Sequence, residues 1–209
     1  MRLDPFYLIV DSADCIERLV PLGVKLVQLR IKETPDTVLR GEIRRSKAIC
    51  SAHGCQLVVN DYWQLAIDEG CDFIHLGQED LAEADLGAIR RAELKLGVST
   101  HDIAELDTAV SARPDYVALG PVWSTILKKM KWQPQGVERV ADWKRRIGDL
   151  PLVAIGGITA ERAPLVLEQG AESAAVVTDI LLNENPEART LEWLAATVAS
   201  RQKLEVQVG

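Results

Sequence analysis

At 209 residues the chain is long for one small domain and short for two, near the lower length at which a (β/α)8 barrel closes. Its 47% hydrophobic and 26% charged content excludes a disordered or fibrous chain. With 24 Lys+Arg against 31 Asp+Glu the net charge is −7, which argues against a general nucleic-acid binder.

The N-terminus, Met1-Arg2-Leu3-Asp4-Pro5-Phe6, lacks an apolar stretch followed by a small-residue cleavage site. No later run reaches the roughly 18 apolar residues of a spanning helix. Cys15, Cys50, Cys55 and Cys71 form no CxxC pair or His/Cys cluster and read as reduced thiols. A cytoplasmic protein is expected.

Eight short, continuous apolar runs follow, at 6–10, 26–29, 57–59, 73–76, 96–98, 116–119, 152–155 and 174–177. Continuous rather than alternating runs are those of a parallel sheet covered on its outer face. Between them, 13–22, 37–53, 63–69, 86–92, 103–111, 137–147 and 160–169 carry apolar residues at helical spacing. Gly23, Gly54, Gly70, Gly148 and Gly170 stand just past helix ends, as C-cap chemistry favours. Eight strands alternating with helices predict an α/β fold, a closed (β/α)8 TIM barrel. A doubly wound open sheet is the alternative, but no GxGxxG follows the first strand. One domain is expected over 1–209, with a core at 6–182, a terminal helix at 188–200 and a fraying polar tail at 201–209.

Barrel chemistry sits at the C-terminal ends of strands. Along and after strand 2, period-2 alternation puts Gln28, Arg30 and Lys32 on one face, which reads either as two cations and an amide pointing into the barrel mouth for phosphate or as a solvated helix entry with a surface Arg. Strand 3 ends in Asn60-Asp61 and strand 4 in Gly77-Gln78-Glu79-Asp80, which places Asp61 and Asp80 on neighbouring strand ends. Two carboxylates beside an amide suit a Mg2+ that also takes phosphate oxygens. Ser99, Thr100 and His101 follow strand 5. Gly156-Gly157 follows strand 7, where backbone N–H groups can approach an anion. Thr178 follows strand 8, either as a hydroxyl for the same phosphate or as the N-cap of a short helix. Residues 121–136, with Lys128, Lys129 and Lys131 interleaved with Met130 and Trp132, read either as a lid over phosphates or as a solvated basic loop. His75 reads as a satisfied core histidine, His53 as a surface residue closing a helix, and His101 as a residue within reach of the site.

The runs Val27-Gln-Leu-Arg-Ile-Lys32, Val59-Asn-Asp-Tyr-Trp-Gln-Leu-Ala66, His75-Leu-Gly-Gln-Glu-Asp-Leu81, Leu96-Gly-Val-Ser-Thr-His101, Asp115-Tyr-Val-Ala-Leu-Gly-Pro121 and Val153-Ala-Ile-Gly-Gly-Ile158 together resemble the thiamine phosphate synthase family, in order and spacing. The resemblance covers about Tyr7 to Leu181. It implies a Mg2+-dependent barrel that joins a hydroxymethylpyrimidine diphosphate to a thiazole phosphate, releasing diphosphate by an SN1-like step. By that resemblance Gln28 bonds the aminopyrimidine. Arg30, Lys32, Asn60, Ser99 and Lys128 hold the diphosphate, with Arg30, Lys32, Ser99 and Lys128 as the catalytic residues. Asp61 and Asp80 hold Mg2+, and Thr125, Gly157, Val177 and Thr178 line the thiazole phosphate side.

Two positions depart from the family pattern. Leu127 stands where the family has a second Thr after strand 6, and Thr178 stands for a Ser. Both fall on the acceptor side. An isomerase resembling the thiazole tautomerases is a second reading, against which stand the retained Asn-Asp and Gly-Gln-Glu-Asp motifs and Pro121 at the tautomerase His position. A non-catalytic barrel binding a thiazole or pyrimidine phosphate is a third. The expected partners are phosphorylated small molecules, not nucleic acid or membrane, with homo-oligomerisation left open.

Overall fold

The computed structural model describes residues 2–125 and 132–208. Eight parallel strands run in sequence order: β1 (Phe6–Val10), β2 (Leu26–Leu29), β3 (Gln56–Asn60), β4 (Phe73–Leu76), β5 (Lys95–Thr100), β6 (Tyr116–Leu119), β7 (Leu152–Ile155) and β8 (Ser173–Val176). β8 pairs back onto β1, with Phe6 opposite Ala174 and Leu8 opposite Val176. The sheet is therefore a closed barrel, and the open-sheet alternative falls.

Alternate residues of each strand serve two cores. Along β1, Phe6, Leu8 and Val10 face the helical layer, while Tyr7 and Ile9 join Leu26, Val58, Phe73, Tyr116 and Val153 inside the barrel. Burial on both faces accounts for the unbroken apolar runs. The helices of the outer layer are α1 (Ala13–Leu19), α2 (Asp36–Ala52), α3 (Trp63–Asp68), α4 (Gln78–Glu83), α5 (Leu86–Arg91), α6 (Ile103–Ser111), α7 (Glu138–Ile147), α8 (Ala163–Glu168), α9 (Thr178–Leu181) and α10 (Pro186–Val208). Side-chain oxygens of Ser12, Asp85 and Asp102 cap α1, α5 and α6 by accepting from Cys15, Ala88 and Glu105 N–H groups. Trp193 of α10 stacks on Phe6 at 5.5 Å between ring centres, fixing the last helix over the β1–β8 seam.

Three local expectations are corrected. Gln78–Glu83 forms a helical turn directly after β4, so Asp80 projects from the first turn of α4 rather than from a strand end. Val177, not Thr178, is the N-cap of α9, and Thr178 is its first helical residue. The segment expected to fray from 201 belongs to α10, which continues to Val208, and Arg201 donates to the Leu3 carbonyl at 2.6 Å.

Among the described residues no helix is long and apolar enough to cross a membrane.

Candidate active site

The C-terminal rim of the barrel gathers most of the residues picked from the sequence. β2 directs Gln28 into the interior, where it is 2% exposed, and Arg30, two residues on, is half-buried at the mouth. Lys32 stands further out, with Nζ 3.7 Å from Asp61 Oδ2. The alternation read from the sequence thus becomes a ladder from floor to rim. Asn60, the last residue of β3, is buried.

Asp61 follows in the left-handed region at φ 65°, a conformation that Asp and Asn tolerate better than most residues. Its N–H donates to the His75 carbonyl at 2.9 Å, which turns the chain inward beside β4. Burial pushes the Asp61 carboxyl up, and Asp80, within hydrogen-bonding reach, pushes it further; Lys32 and Arg30 oppose both. Two acids sharing one partly buried place is a charge arrangement that a cation relieves. No group of three or more His, Cys, Asp or Glu side chains is arranged to hold a metal among the described residues. Two carboxylates leave most of an octahedron to other oxygens, so the residues present fit a Mg2+ only together with water and phosphate.

Ser99 sits on the inner face of β5 and is fixed from two sides. Gln78 Nε2 donates to its carbonyl at 2.6 Å, and His75 Nε2 lies 2.8 Å from its hydroxyl. His75 is buried with both ring nitrogens partnered, the second to the Tyr116 hydroxyl at 2.7 Å. Burial, with Arg30 nearby, lowers its pKa to about 4, so the ring is neutral near pH 7. Tyr7 and Tyr116, also buried, are held as neutral phenols by desolvation.

On the opposite side, Gly156 and Gly157 have φ of 99° and 63°. Their neighbours give them a packing task besides any contact with an anion. A Cβ on Gly157 would stand 2.4 Å from the Ser124 carbonyl oxygen and 2.8 Å from Trp123 Cβ. The loop after β6 is stitched here, with Trp123 N–H donating to Gly156 O at 2.9 Å. Val177 and Thr178 are partly buried and, with Arg30, Asp11 and Arg18, line a cavity of about 380 Å3 beside β1. Thr125 lies at the end of this loop, half-buried. Lys128 and Leu127 lie outside the described residues.

His101 does not join the cluster. Its Nδ1 is 2.7 Å from Glu105 Oε2, and its ring stacks on Trp132 at 5.6 Å and 7°. Pattern reading missed Tyr7 and Tyr116, because tyrosine inside an apolar strand reads as core. Their shared inward parity with Gln28 and His75 was the available signal.

The arrangement defines a (β/α)8-barrel enzyme that acts on phosphorylated small molecules, with cations, paired acids and hydroxyls converging on one mouth. The chain belongs to the thiamine monophosphate synthase (TMP-TENI) family, whose model matches residues 6–180. It is 78% identical over 201 residues to the thiamine-phosphate synthase of Rhizobium etli, covering 96% of this chain and 98% of that one. It is 49% identical over 191 residues to the thiamine-phosphate synthase of Cronobacter sakazakii, covering 91% and 88%. The solved thiamine phosphate pyrophosphorylase of Pyrococcus furiosus superposes with a TM-score of 0.83 at 22% identity, over 93% of this chain and 96% of that one, a likeness of fold.

Proposed function

We propose that the barrel mouth carries out the thiamine-phosphate synthase reaction, with the work divided between two halves of the rim. A hydroxymethylpyrimidine diphosphate loses diphosphate, and the ring nitrogen of a thiazole phosphate, either the carboxylate or the hydroxyethyl-methylthiazole form, takes its place. The C–O bond to the leaving group breaks with its electron pair, leaving a pyrimidinylmethyl cation; the thiazole nitrogen lone pair then forms the C–N bond, and from the carboxylate form CO2 also departs, its electron pair staying on the thiazole ring, to give the same product. The observation that carries this reading is the relationship to the Rhizobium etli enzyme along nearly the whole of both chains.

Such a substitution needs the departing charge stabilised and the acceptor aligned, and little proton transfer. A neutral, buried His75 is in keeping with that. In this scheme Gln28 orients the aminopyrimidine from the barrel floor. Arg30, Lys32, Asn60 and Ser99 hold the diphosphate, and Lys128 joins them from the loop after β6. Mg2+ held by Asp61 and Asp80 would neutralise part of the diphosphate charge. Gly157, Val177 and Thr178, with Thr125, receive the thiazole phosphate. The four cysteines are free thiols, which suits the cytoplasmic setting we assign.

The test is direct condensation. Purified protein with the pyrimidine diphosphate, the thiazole phosphate and Mg2+ is expected to release diphosphate and form thiamine phosphate in equal amounts. Absence of product beside an active homologue refutes the reaction. Product formation that is indifferent to chelation of the metal refutes the assignment of Asp61 and Asp80.

A further inference from the structure

Four hydrogen bonds cross the inside of the barrel and join its two substrate-facing ends. Gln28 Nε2 donates to the Tyr7 hydroxyl at 2.9 Å. Tyr7 and Tyr116 hydroxyls are 3.0 Å apart, Tyr116 is 2.7 Å from His75 Nδ1, and His75 Nε2 is 2.8 Å from Ser99 Oγ. The five residues come from five different strands, β2, β1, β6, β4 and β5, so only barrel closure brings them together. Gly97 makes the crossing fit: a Cβ there would lie 2.1 Å from the Tyr116 ring, so the position below Ser99 is left empty for that ring.

Either tyrosine oxygen could donate and His75 could take either tautomer by distance alone, so the direction of the chain is set by the Gln28 amide, whose Nε2 faces Tyr7. Gln28 gives an N–H to Tyr7, so the Tyr7 oxygen is an acceptor there and its O–H goes to Tyr116. The Tyr116 O–H then goes to His75 Nδ1. A neutral imidazole that accepts at Nδ1 carries its proton on Nε2, and that proton goes to Ser99 Oγ. The Ser99 O–H is turned away from His75 as a donor, while Gln28 Oε1 takes no part in the chain and can accept. Flipping the amide would reverse every bond and turn both ends over. A row of phenylalanines and a leucine would pack an apolar interior without these polar groups, whose burial costs free energy unless each is paired.

We propose that Tyr7, Tyr116 and His75 are positioning residues, a one-way hydrogen-bond relay that presents the Gln28 amide to an amino-substituted heterocycle at one end and aims the Ser99 hydroxyl as a donor at a phosphate oxygen at the other. The relay rests on the roles given above to Gln28 and Ser99. Through it, recognition of the ring and of the leaving group share one hydrogen-bond polarity.

Two measurements test it. Nitrogen NMR of isotope-labelled histidine in the wild-type protein near neutral pH is expected to show His75 protonated on Nε2 and bare on Nδ1. The opposite tautomer overturns the relay. Tyr116→Phe and Tyr7→Phe, each verified as folded by circular dichroism, are expected to lower kcat/KM for the pyrimidine diphosphate about tenfold or more, with KM for the thiazole phosphate unchanged. Gln28→Ala and Ser99→Ala serve as references. If both references lose activity while both Phe variants keep wild-type kinetics, the relay is wrong and the site reading stands. If the references also keep wild-type kinetics, the roles of Gln28 and Ser99 fall and the relay falls with them.

Discussion

Arg189 reaches the Asp179 carboxylate twice, Nε to Oδ2 at 2.8 Å and Nη2 to Oδ1 at 3.1 Å, one residue after Thr178. Trp193 Nε1 adds a bond of 2.7 Å to the same Oδ2, and the Ala160 N–H, from the segment after β7, one of 3.3 Å. Helix α10 is thereby tied to both loops assigned to the acceptor phosphate. The side chains of Arg189 and Asp179 are only 13% and 17% exposed, so removing one strands the other's charge away from water. Arg189→Leu is expected to destabilise the fold by about 3 kcal/mol. It is also expected to raise KM for the thiazole phosphate while leaving KM for the pyrimidine diphosphate alone. Urea unfolding and paired Michaelis constants check this; an equal rise in both constants would contradict it.

The Asp61–Asp80 pair sets stability against function. Asn at position 61 keeps the left-handed backbone conformation, which it adopts readily, and removes the repulsion from Asp80. Asp61→Asn is therefore expected to stabilise the metal-free protein by about 1 kcal/mol while reducing turnover severely. Adding Mg2+ is expected to raise the melting temperature of the wild type and not of the variant. A variant less stable than wild type, or one that keeps the Mg2+ shift, would show that the pair is not held apart for a cation.

Much of this was legible in the sequence because the barrel writes its outer and inner cores into every strand. All eight strands stood out as apolar runs, and Gln28, the polar residue within β2, is buried. What was hidden depends on closure or on short range. Tyr7 and Tyr116 are 109 positions apart, and nothing in either strand announces that their hydroxyls meet. Helix α4 is six residues, too short for a 3.6 period to emerge, so Asp80 was placed on a strand end. The Gly156-Gly157 pair is visible in the sequence, but its contact with Trp123 and Ser124 is a tertiary fact. At the far end, most residues after 200 are polar, yet α10 continues through them, with Leu204 packed against the core of the helical layer and Arg201 bonded to Leu3.

His75 makes the fold sensitive to acid. In the unfolded chain its pKa is near 6.5, whereas in the barrel burial first, and Arg30 second, lower it to about 4. Between those values the unfolded state takes up a proton that the folded state refuses, so stability is full above the unfolded pKa and is lost as pH falls toward the folded one. The loss approaches about 3 kcal/mol when the window has been crossed. Urea unfolding of wild type and His75→Asn should therefore diverge: the wild type loses more stability than the variant between neutral pH and the acid end of the window. Parallel pH profiles would mean that the imidazole is not held neutral by the barrel.

Gly157→Ala probes how the loop after β6 meets the acceptor side. The φ of 63° is costly for alanine by about 1 kcal/mol. The added Cβ also runs into the Ser124 carbonyl and Trp123, which no rotamer change of a single side chain can relieve because one contact is backbone. The bond from Trp123 N–H to Gly156 O would have to give way, and with it the stack of Arg162 over the Trp123 ring, 5.1 Å from its centre. The Trp123–Ser124 segment then has to move, carrying Thr125 with it. The variant is expected to melt lower than wild type and to lose about tenfold or more in kcat/KM for the thiazole phosphate. Single-turnover release of diphosphate from the pyrimidine substrate is expected to retain its Mg2+ dependence, because Asp61 and Asp80 lie across the mouth. Loss of that dependence together with the acceptor defect would show that the two halves of the rim are not separable.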